Sequence, residues 1–240
     1  KAEAPRVTSG KILSSLAKNN PFLIGGCADL SSSTKAYLEE AGDFSFQNPL
    51  GRNIFYGVRE HAMGAISNGL ALSGLHPFAS TFLTFSDYLK PAIRMSSLMN
   101  LGVTYIFTHD SLSIGEDGPT HQPVEQLIAL RSIPNLTVFR PCDANEIIGT
   151  YKYIMTNPTG PTALILSRNE VPIQDSTSIH DVAKGGYIIR KERKNLSAII
   201  IASGEEVQIA LEAASRLEEK GYDIRVISMP SIELWRQQKD

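Results

Sequence analysis

The sequence has few cysteines, no excess of positive charge and no long hydrophobic run, and each of these absences excludes a class of protein. Its two cysteines, Cys27 and Cys142, offer neither a disulfide framework nor the spacing of metal ligands. A formal net charge of −2 leaves no basic field that would attract nucleic acid. No segment approaches the roughly 18 apolar residues of a membrane span, and residues 1–10 lack the apolar core of a signal peptide. We therefore expect a cytoplasmic protein whose partners include no nucleic acid and no membrane.

Hydrophobic patterning predicts an α/β fold for most of the chain. Short β-rich runs cover residues 22–26, 53–56, 76–79, 103–108, 137–140 and 163–167. Helical patterns alternate with them near residues 60–73, 86–99, 124–131 and 143–155. Such alternation is typical of a mostly parallel sheet with helices on both faces, a three-layer α/β/α arrangement.

A second unit follows a break in this alternation at residues 168–195. A strand over 196–203, a helix over 205–220 and a strand over 223–229 form one βαβ unit. One such unit buries too little surface to offset its chain entropy. We therefore expect two domains, 1–180 and 181–240, of which the second is an incomplete α/β domain that continues beyond the end of the chain.

The segment 109–123 has the composition of a site loop. It holds two histidines, three acids and two glycines, and it directly follows the apolar run 103–108. A buried strand that ends in titratable side chains places them at the carboxyl edge of the sheet, where open α/β folds bind ligands. His109, Asp117 and His121 suit proton transfer and hydroxyl recognition. The spacing of the two histidines does not suit a metal, so we predict no metal ligands.

Glu60 is the most distinctive carboxylate, because it falls in the first turn of a predicted helix. There it could exchange a proton with a ligand at the sheet edge, or only complement the helix dipole at ~0.3–1 kcal/mol. The residue pattern alone leaves both readings open. Ala62, Ala65 and Gly69 on the same helix allow a close helix contact, within the chain or between subunits.

Two further groups are ambiguous from their pattern alone. Phe82, Phe85 and Tyr88 share one face of a helical turn, an arrangement that favours core packing over a stacking surface for a planar ring. Arg6, and Arg168 at the end of a predicted strand, could hold a phosphate or form ordinary surface ion pairs.

Five motifs, taken together and in this order, closely resemble the transketolase family. They are GVREHAM at 57–63, TFLTF at 81–85, THDS at 108–111, GEDGPTHQP at 115–123 and LSR at 166–168. The resemblance extends over essentially the whole chain. It covers the pyrimidine-binding middle domain and the start of the C-terminal domain, but not the N-terminal domain that binds the diphosphate.

The resemblance implies an enzyme of the pentose phosphate pathway that uses thiamine diphosphate to transfer a two-carbon ketol unit from a ketose phosphate to an aldose phosphate. In this family the cofactor spans two subunits of a homodimer, and Mg²⁺ or Ca²⁺ binds with the diphosphate on the N-terminal domain. That domain would come from the rest of the enzyme or from another chain. The chain alone is therefore expected to be inactive and to bind the cofactor weakly.

The resemblance also implies a role for each candidate residue. Glu60 would hydrogen-bond the aminopyrimidine ring and favour its imino tautomer. The ring would be enclosed by the aromatic residues Phe82, Phe85 and Tyr88. The catalytic residues would be Glu60, His109 and His121, with His121 near the oxygens of the transferred fragment and Asp117 near the C2 hydroxyl of the sugar. The sugar phosphate would be held by Arg6, Ser33, His109 and Arg168.

The sequence departs from the family pattern at one position, and two alternatives to a transketolase function remain. Cys27 stands where the family usually has serine, an exchange that we expect a core turn to tolerate. The first alternative is a related thiamine-dependent enzyme, either deoxyxylulose-phosphate synthase or the β-type subunit of a keto-acid dehydrogenase. The second is a noncatalytic dimerisation module of transketolase-like sequence.

Overall fold

A computed structural model describes residues 2–238 and confirms the predicted α/β fold. The strands of the main sheet are β1 (Leu23–Cys27), β2 (Asn53–Phe55), β3 (His76–Phe82), β4 (Thr104–Thr108), β5 (Thr137–Phe139) and β6 (Thr162–Leu166). They lie in the order β2-β1-β3-β4-β6-β5, and every pairing between neighbours is parallel. All of the predicted strands are present, with ends shifted by a few residues at most.

Helices cover both faces of this sheet. They are α1 (Pro5–Asn19), α2 (Ser31–Thr34), α3 (Glu60–Leu72), α4 (Ser86–Leu98), α5 (Gln126–Arg131) and α6 (Ala144–Thr156). Successive strand residues point to opposite faces, so Tyr105 and Phe107 pack into one core and Ile106 packs into the other. The first core takes side chains from α3, α4 and α5, and the second takes side chains from α1 and α6. This is the three-layer arrangement expected from the sequence.

Helix α1 was not predicted, because its buried face is not a hydrophobic stripe. The residues that it buries include Thr8, Ser9, Gly10 and Ser14 as well as Leu13. Small and hydroxyl-bearing residues let the helix approach its neighbours closely. At Gly10 a Cβ atom would lie 2.4 Å from the carbonyl oxygen of Lys35, which directly follows α2, so only glycine fits without a shift.

The second unit contains the predicted βαβ and one further strand. Its elements are β7 (Tyr187–Arg190), β8 (Leu196–Ala202), α7 (Glu206–Glu218), β9 (Asp223–Ser228) and α8 (Ile232–Trp235). The sheet order is β7-β9-β8, with β8 parallel and β7 antiparallel to β9. Strand β8 leaves Ile199 and Ile201 exposed. The proposed division at residues 180 and 181 stays a prediction.

Buried polar groups join the two units. The carboxylate of Glu146 on α6 accepts hydrogen bonds from the hydroxyls of Tyr187 (2.8 Å) and Ser228 (2.5 Å) of the second unit. It also accepts one from the backbone N–H of Cys142 at 2.8 Å. Burial raises the pKa of Glu146 above its usual range. Across residues 2–238, no helix has both the length and the hydrophobicity needed to span a bilayer.

Candidate functional site

The candidate residues meet at the carboxyl edge of the main sheet. Strands β1, β3, β4 and β6 are neighbours and parallel, so their carboxyl ends lie side by side. Strand β3 ends in Phe82, His109 directly follows β4, and Arg168 lies two residues beyond β6. The β3 end continues into a 3-10 turn, Leu83–Phe85, and then into α4. The edge is the one at which open parallel sheets bind ligands.

Aromatic and imidazole rings form one continuous stack at this edge. Phe82 is almost fully buried and lies between Phe85 and His109, with ring centroids 5.9 and 3.7 Å away. His121 meets Phe85 edge-on at 5.1 Å. Tyr88 lies 6.2 Å from Phe85 and is 64% exposed. The stack places the two predicted histidines next to the aromatic residues that the pattern alone assigned to the core.

Glu60 lies in a cleft beside this stack. The carboxylate belongs to the first residue of α3, where the helix dipole favours negative charge. The residue is only 8% exposed, and no residue in the described part of the chain donates a hydrogen bond to its side chain. The cleft has a volume of about 860 Å³ and is lined by Ala28, Asp29, Leu30, Val58, Arg59, Glu60, His61, Ala62, Phe85 and Tyr88.

His109 is held in an unusual conformation and is neutral at pH 7. Its backbone φ is 60°, and its Nδ1 lies 2.8 Å from the hydroxyl of Thr108. Burial, followed by the positive charges of Arg6 and Arg168, lowers its pKa to about 4 against the opposing effect of Asp117. His121 also contributes to the lowering. Predicted substrate residues from three segments, namely α1, the loop 109–123 and the end of β6, therefore lie within electrostatic reach of this one ring.

Arg6 and Arg168 form a positively charged end of the site. Burial and the charge of Arg168 lower the pKa of Arg6. Arg6 Nη1 donates to the backbone carbonyl of Ser33 at 2.5 Å, and its buried Nε has no partner among the residues described. Within residues 2–238 neither arginine pairs with a carboxylate. Two neighbouring guanidinium groups that are not paired with a carboxylate are suited to bind an anion.

Several residues at this edge were missed by the sequence analysis. Asp29 and Val58 line the cleft of Glu60, and Asp29, two residues beyond β1, has a positive φ of 61°. Both residues follow predicted strands, so the sequence could have placed them at the carboxyl edge of the sheet. Asn169 and Glu205 hydrogen-bond each other beside the loop 109–123, and no local pattern could join residues of two different units. In the part of the chain that the structure describes, no three side chains are grouped as a metal site.

Comparisons with known proteins agree with this geometry. The family model for the transketolase pyrimidine-binding domain matches residues 3–174. The model for the transketolase-like C-terminal domain matches residues 185–240. Residues that line the cleft, form the ring stack and supply the two arginines all fall within the first match.

Similar proteins include the transketolase of Bacillus subtilis, which is 48% identical over 99% of this chain. The chain spans 36% of that protein's length. The crystal structure of the Campylobacter jejuni transketolase superposes on the whole chain, which covers 37% of it, with a TM-score of 0.94 and 44% identity. A split-gene transketolase, described as an inactive β4 tetramer, gives a TM-score of 0.78 and 31% identity over 97% of this chain and 73% of its own. The chain therefore belongs to the transketolase family.

Proposed function

We propose that this chain supplies the pyrimidine side of the site of a thiamine-diphosphate-dependent transketolase. The proposed enzyme transfers a two-carbon ketol unit from a ketose phosphate to an aldose phosphate in the pentose phosphate pathway of the cytoplasm. The observation that supports this best is the position of Glu60 in an apolar cleft beside Phe85 and Tyr88. The transketolase relatives, together with His109 and His121, favour this function over deoxyxylulose-phosphate synthase and over a keto-acid dehydrogenase β subunit.

The cleft fits a flat heteroaromatic ring with polar edges. Phe85 and Tyr88 offer stacking surface, and Leu30 and Val58 complete the apolar lining. The carboxyl group of Glu60 can share a proton with a nitrogen of the ring through a hydrogen bond. This hydrogen bond favours the ring tautomer that carries an imino group. When bound, thiamine diphosphate supplies the electron sink for cleavage of the C2–C3 bond of the ketose. The protein supplies position and proton transfer.

The remaining candidate residues fit the substrate side. The neutral ring of His109 can both accept and donate a hydrogen bond, as recognition of sugar hydroxyls requires. We assign to His121 the oxygens of the transferred fragment and to Asp117 the C2 hydroxyl. The phosphate would bind Arg6 and Arg168, which lie within electrostatic reach of each other and form no ion pair with a carboxylate of the described residues. Because Ser33 meets Arg6 through its backbone carbonyl, its hydroxyl stays available for the same phosphate.

The diphosphate and its Mg²⁺ or Ca²⁺ would be held by an N-terminal domain, from the rest of the enzyme or from another chain. Among residues 2–238 no cluster of acids and histidines offers a metal site. Ring stacking contributes about 1 kcal/mol beyond area burial, whereas a micromolar complex needs roughly 8 kcal/mol. The chain alone should therefore bind the cofactor weakly and lack activity.

We propose a second copy of the chain as a further partner. Helix α3 packs on α4 through Gly64, while Ala65, Ile66 and Gly69 remain exposed on its outer face. Small exposed residues of this kind allow two helices to approach closely. The β4 tetramer of the similar split-gene transketolase supports self-association. Sedimentation velocity over a range of concentrations tests it, and a monomer throughout would contradict it.

Ketol transfer in a reconstituted mixture tests the function. The assay follows transfer from xylulose 5-phosphate to ribose 5-phosphate with magnesium and thiamine diphosphate. We expect no activity from the chain alone and activity when a separately expressed transketolase N-terminal domain is added. Glu60→Gln should abolish that activity, whereas Glu212→Gln on the exposed face of α7 should preserve it. Full activity in Glu60→Gln would contradict the proposed role, and a silent mixture of folded proteins would favour the noncatalytic module.

A further inference from the structure

The first turn of α7, in the second unit, reaches the edge of the site through an ion-pair chain. The carboxylate of Glu206 accepts hydrogen bonds from both terminal nitrogens of Arg140, that from Nη2 at 3.0 Å. Arg140 Nη1 also donates to the carbonyl oxygen of Ser203 at 2.9 Å. On its other side, Arg140 Nε donates to Asp110 Oδ2 at 2.8 Å. Asp110 is the residue that directly follows His109.

This chain of contacts ends next to His109, whose backbone conformation is energetically unfavourable. His109 has a φ of 60°, a conformation that residues other than glycine seldom adopt and that costs on the order of 1 kcal/mol or more. Such a conformation persists only where its surroundings enforce it. The Asp110 side chain is 0% exposed and fixed by Arg140, so the peptide that leaves His109 is anchored. The anchored backbone in turn keeps the imidazole stacked on Phe82 at 3.7 Å.

The energetics of buried charge favour a positioning role over a purely stabilising one. Desolvation of buried ions offsets most of their mutual attraction, and apolar side chains of similar volume would stabilise the fold as well. One oxygen of Asp110, Oδ1, has no hydrogen-bond partner among the residues described, so the arrangement is not optimised for stability. What the ion pair provides is a fixed direction for the Asp110 side chain relative to α7.

The beginning of α7 makes a second contact with the site, on the side where Arg168 lies. Glu205 accepts a hydrogen bond from Asn169 Nδ2 at 3.0 Å. The same Nδ2 atom lies 3.1 Å from the hydroxyl of Ser113 in the loop 109–123. Asn169 directly follows Arg168. Both His109 and Arg168 are therefore followed by a residue that is tied to the beginning of α7.

We propose that Glu206, acting through Arg140 and Asp110, is a positioning residue for His109, so that the second unit sets the affinity of the site for its anionic ligand. The identity of that ligand as a sugar phosphate rests on the proposed function, whereas the positioning of His109 does not. The charged and titratable groups that face His109 are Arg6, Asp117, His121 and Arg168.

The test uses the 240-residue chain, NMR titration of the His109 ring and inorganic phosphate as the probe. Glu206→Gln and Glu206→Asp should both raise the pKa of His109 from about 4 toward its ordinary value near 6.5, because a loosened ring becomes more exposed. Both should weaken phosphate binding several-fold. If Glu206→Gln acted only by removing a negative charge, it would lower the pKa of His109 instead. Glu206→Asp separates position from charge, because it keeps the negative charge on a shorter side chain.

Glu218→Gln is the matched control, because Glu218 lies on the same helix as Glu206 and its carboxylate also pairs with an arginine, Arg190 of β7. Glu218→Gln should change neither the pKa of His109 nor the affinity for phosphate. An unchanged His109 pKa and unchanged phosphate affinity in folded Glu206→Gln would overturn the proposal. If the unsubstituted chain binds no phosphate, the sugar-phosphate part of the proposed function fails, and the His109 pKa alone then decides the positioning role.

Discussion

At the scale of single residues, His109 and Cys27 show how burial sets chemistry. Burial and two nearby arginines lower the pKa of His109 to about 4, so its ring is neutral at pH 7. Burial raises the pKa of the Cys27 thiol to about 11, against a weak hydrogen bond from Thr34 at 3.5 Å. The thiol stays protonated and unreactive there. Cys27 is the buried last residue of β1, so the expected exchange of serine for cysteine falls within the sheet and not in a turn.

The lowered pKa of His109 predicts a loss of stability in mild acid. The unfolded chain takes up a proton near pH 6.5, whereas the folded chain takes it up only near pH 4. Between these values the unfolded state binds more protons, so the free energy of unfolding falls as the pH falls. After allowance for solvent screening we expect about 1–2 kcal/mol from this residue.

Urea unfolding at pH 7 and pH 5 measures this contribution when the chain is compared with its His109→Gln variant. The variant should lose less stability between the two pH values than the unsubstituted chain. His180→Gln, at an exposed site elsewhere, serves as the control and should leave the pH dependence unchanged. Equal pH dependence in the chain and in His109→Gln would contradict the assigned environment.

The roles of site residues could be predicted only in part from the sequence. The family motifs identified Glu60, His109 and Arg168 as candidate site residues, and in the structure all three lie at one edge of one sheet. The sequence did not indicate that Ser33 meets Arg6 through its backbone carbonyl, because such a contact depends on the path of the chain and not on the side chain. The direction of the His109 pKa shift was also beyond sequence reasoning, since burial and charge come from distant segments.

At the scale of elements, the predictable helices and strands are those with a regular hydrophobic pattern. Strands β1 to β6 are short apolar runs, and α3, α4 and α6 present clear apolar faces. Helix α1 was missed because its buried face contains hydroxyl-bearing and small residues. Strand β7 was missed because it is short and lies in a segment that resembles a linker. Patterns predict elements whose stability comes from hydrophobic burial and miss elements that depend on close backbone approach.

Two glycines on α3 give opposite predictions for the same substitution. A Cβ atom at Gly64 would lie 2.6 Å from Leu89 Cδ1 and 2.7 Å from Ala92 Cβ, so Gly64→Ala must push α4 away. We expect a loss of about 1–3 kcal/mol in the free energy of unfolding. A Cβ atom at Gly69 would meet nothing within 4 Å, so Gly69→Ala should stabilise the helix by about 0.5–1 kcal/mol.

Urea denaturation at low protein concentration measures both variants, and each serves as the control for the other. The low concentration separates the effect on folding from any effect on self-association through the exposed face of α3. Equal midpoints for the two variants would show that α3 and α4 are not packed as closely as described.

At the scale of the whole molecule, the two units are joined by buried polar contacts. Glu146 of the first unit accepts hydrogen bonds from Tyr187 and Ser228 of the second. Arg140 lies between Asp110 and Glu206, which belong to different units. Such pairs are separated by many residues in the sequence, so no local pattern predicts them. They make the second unit part of the surroundings of the site.

We propose that this chain holds the pyrimidine half of thiamine diphosphate and that the diphosphate half needs another domain. Calorimetric titration of thiamine diphosphate with magnesium measures it most directly, for the chain alone and for the chain with a transketolase N-terminal domain. We predict affinity weaker than micromolar for the chain alone and tighter binding in the mixture, weakened again by Glu60→Gln. Micromolar binding by the chain alone, or binding in the mixture that Glu60→Gln leaves unchanged, would contradict this division of the cofactor between two domains.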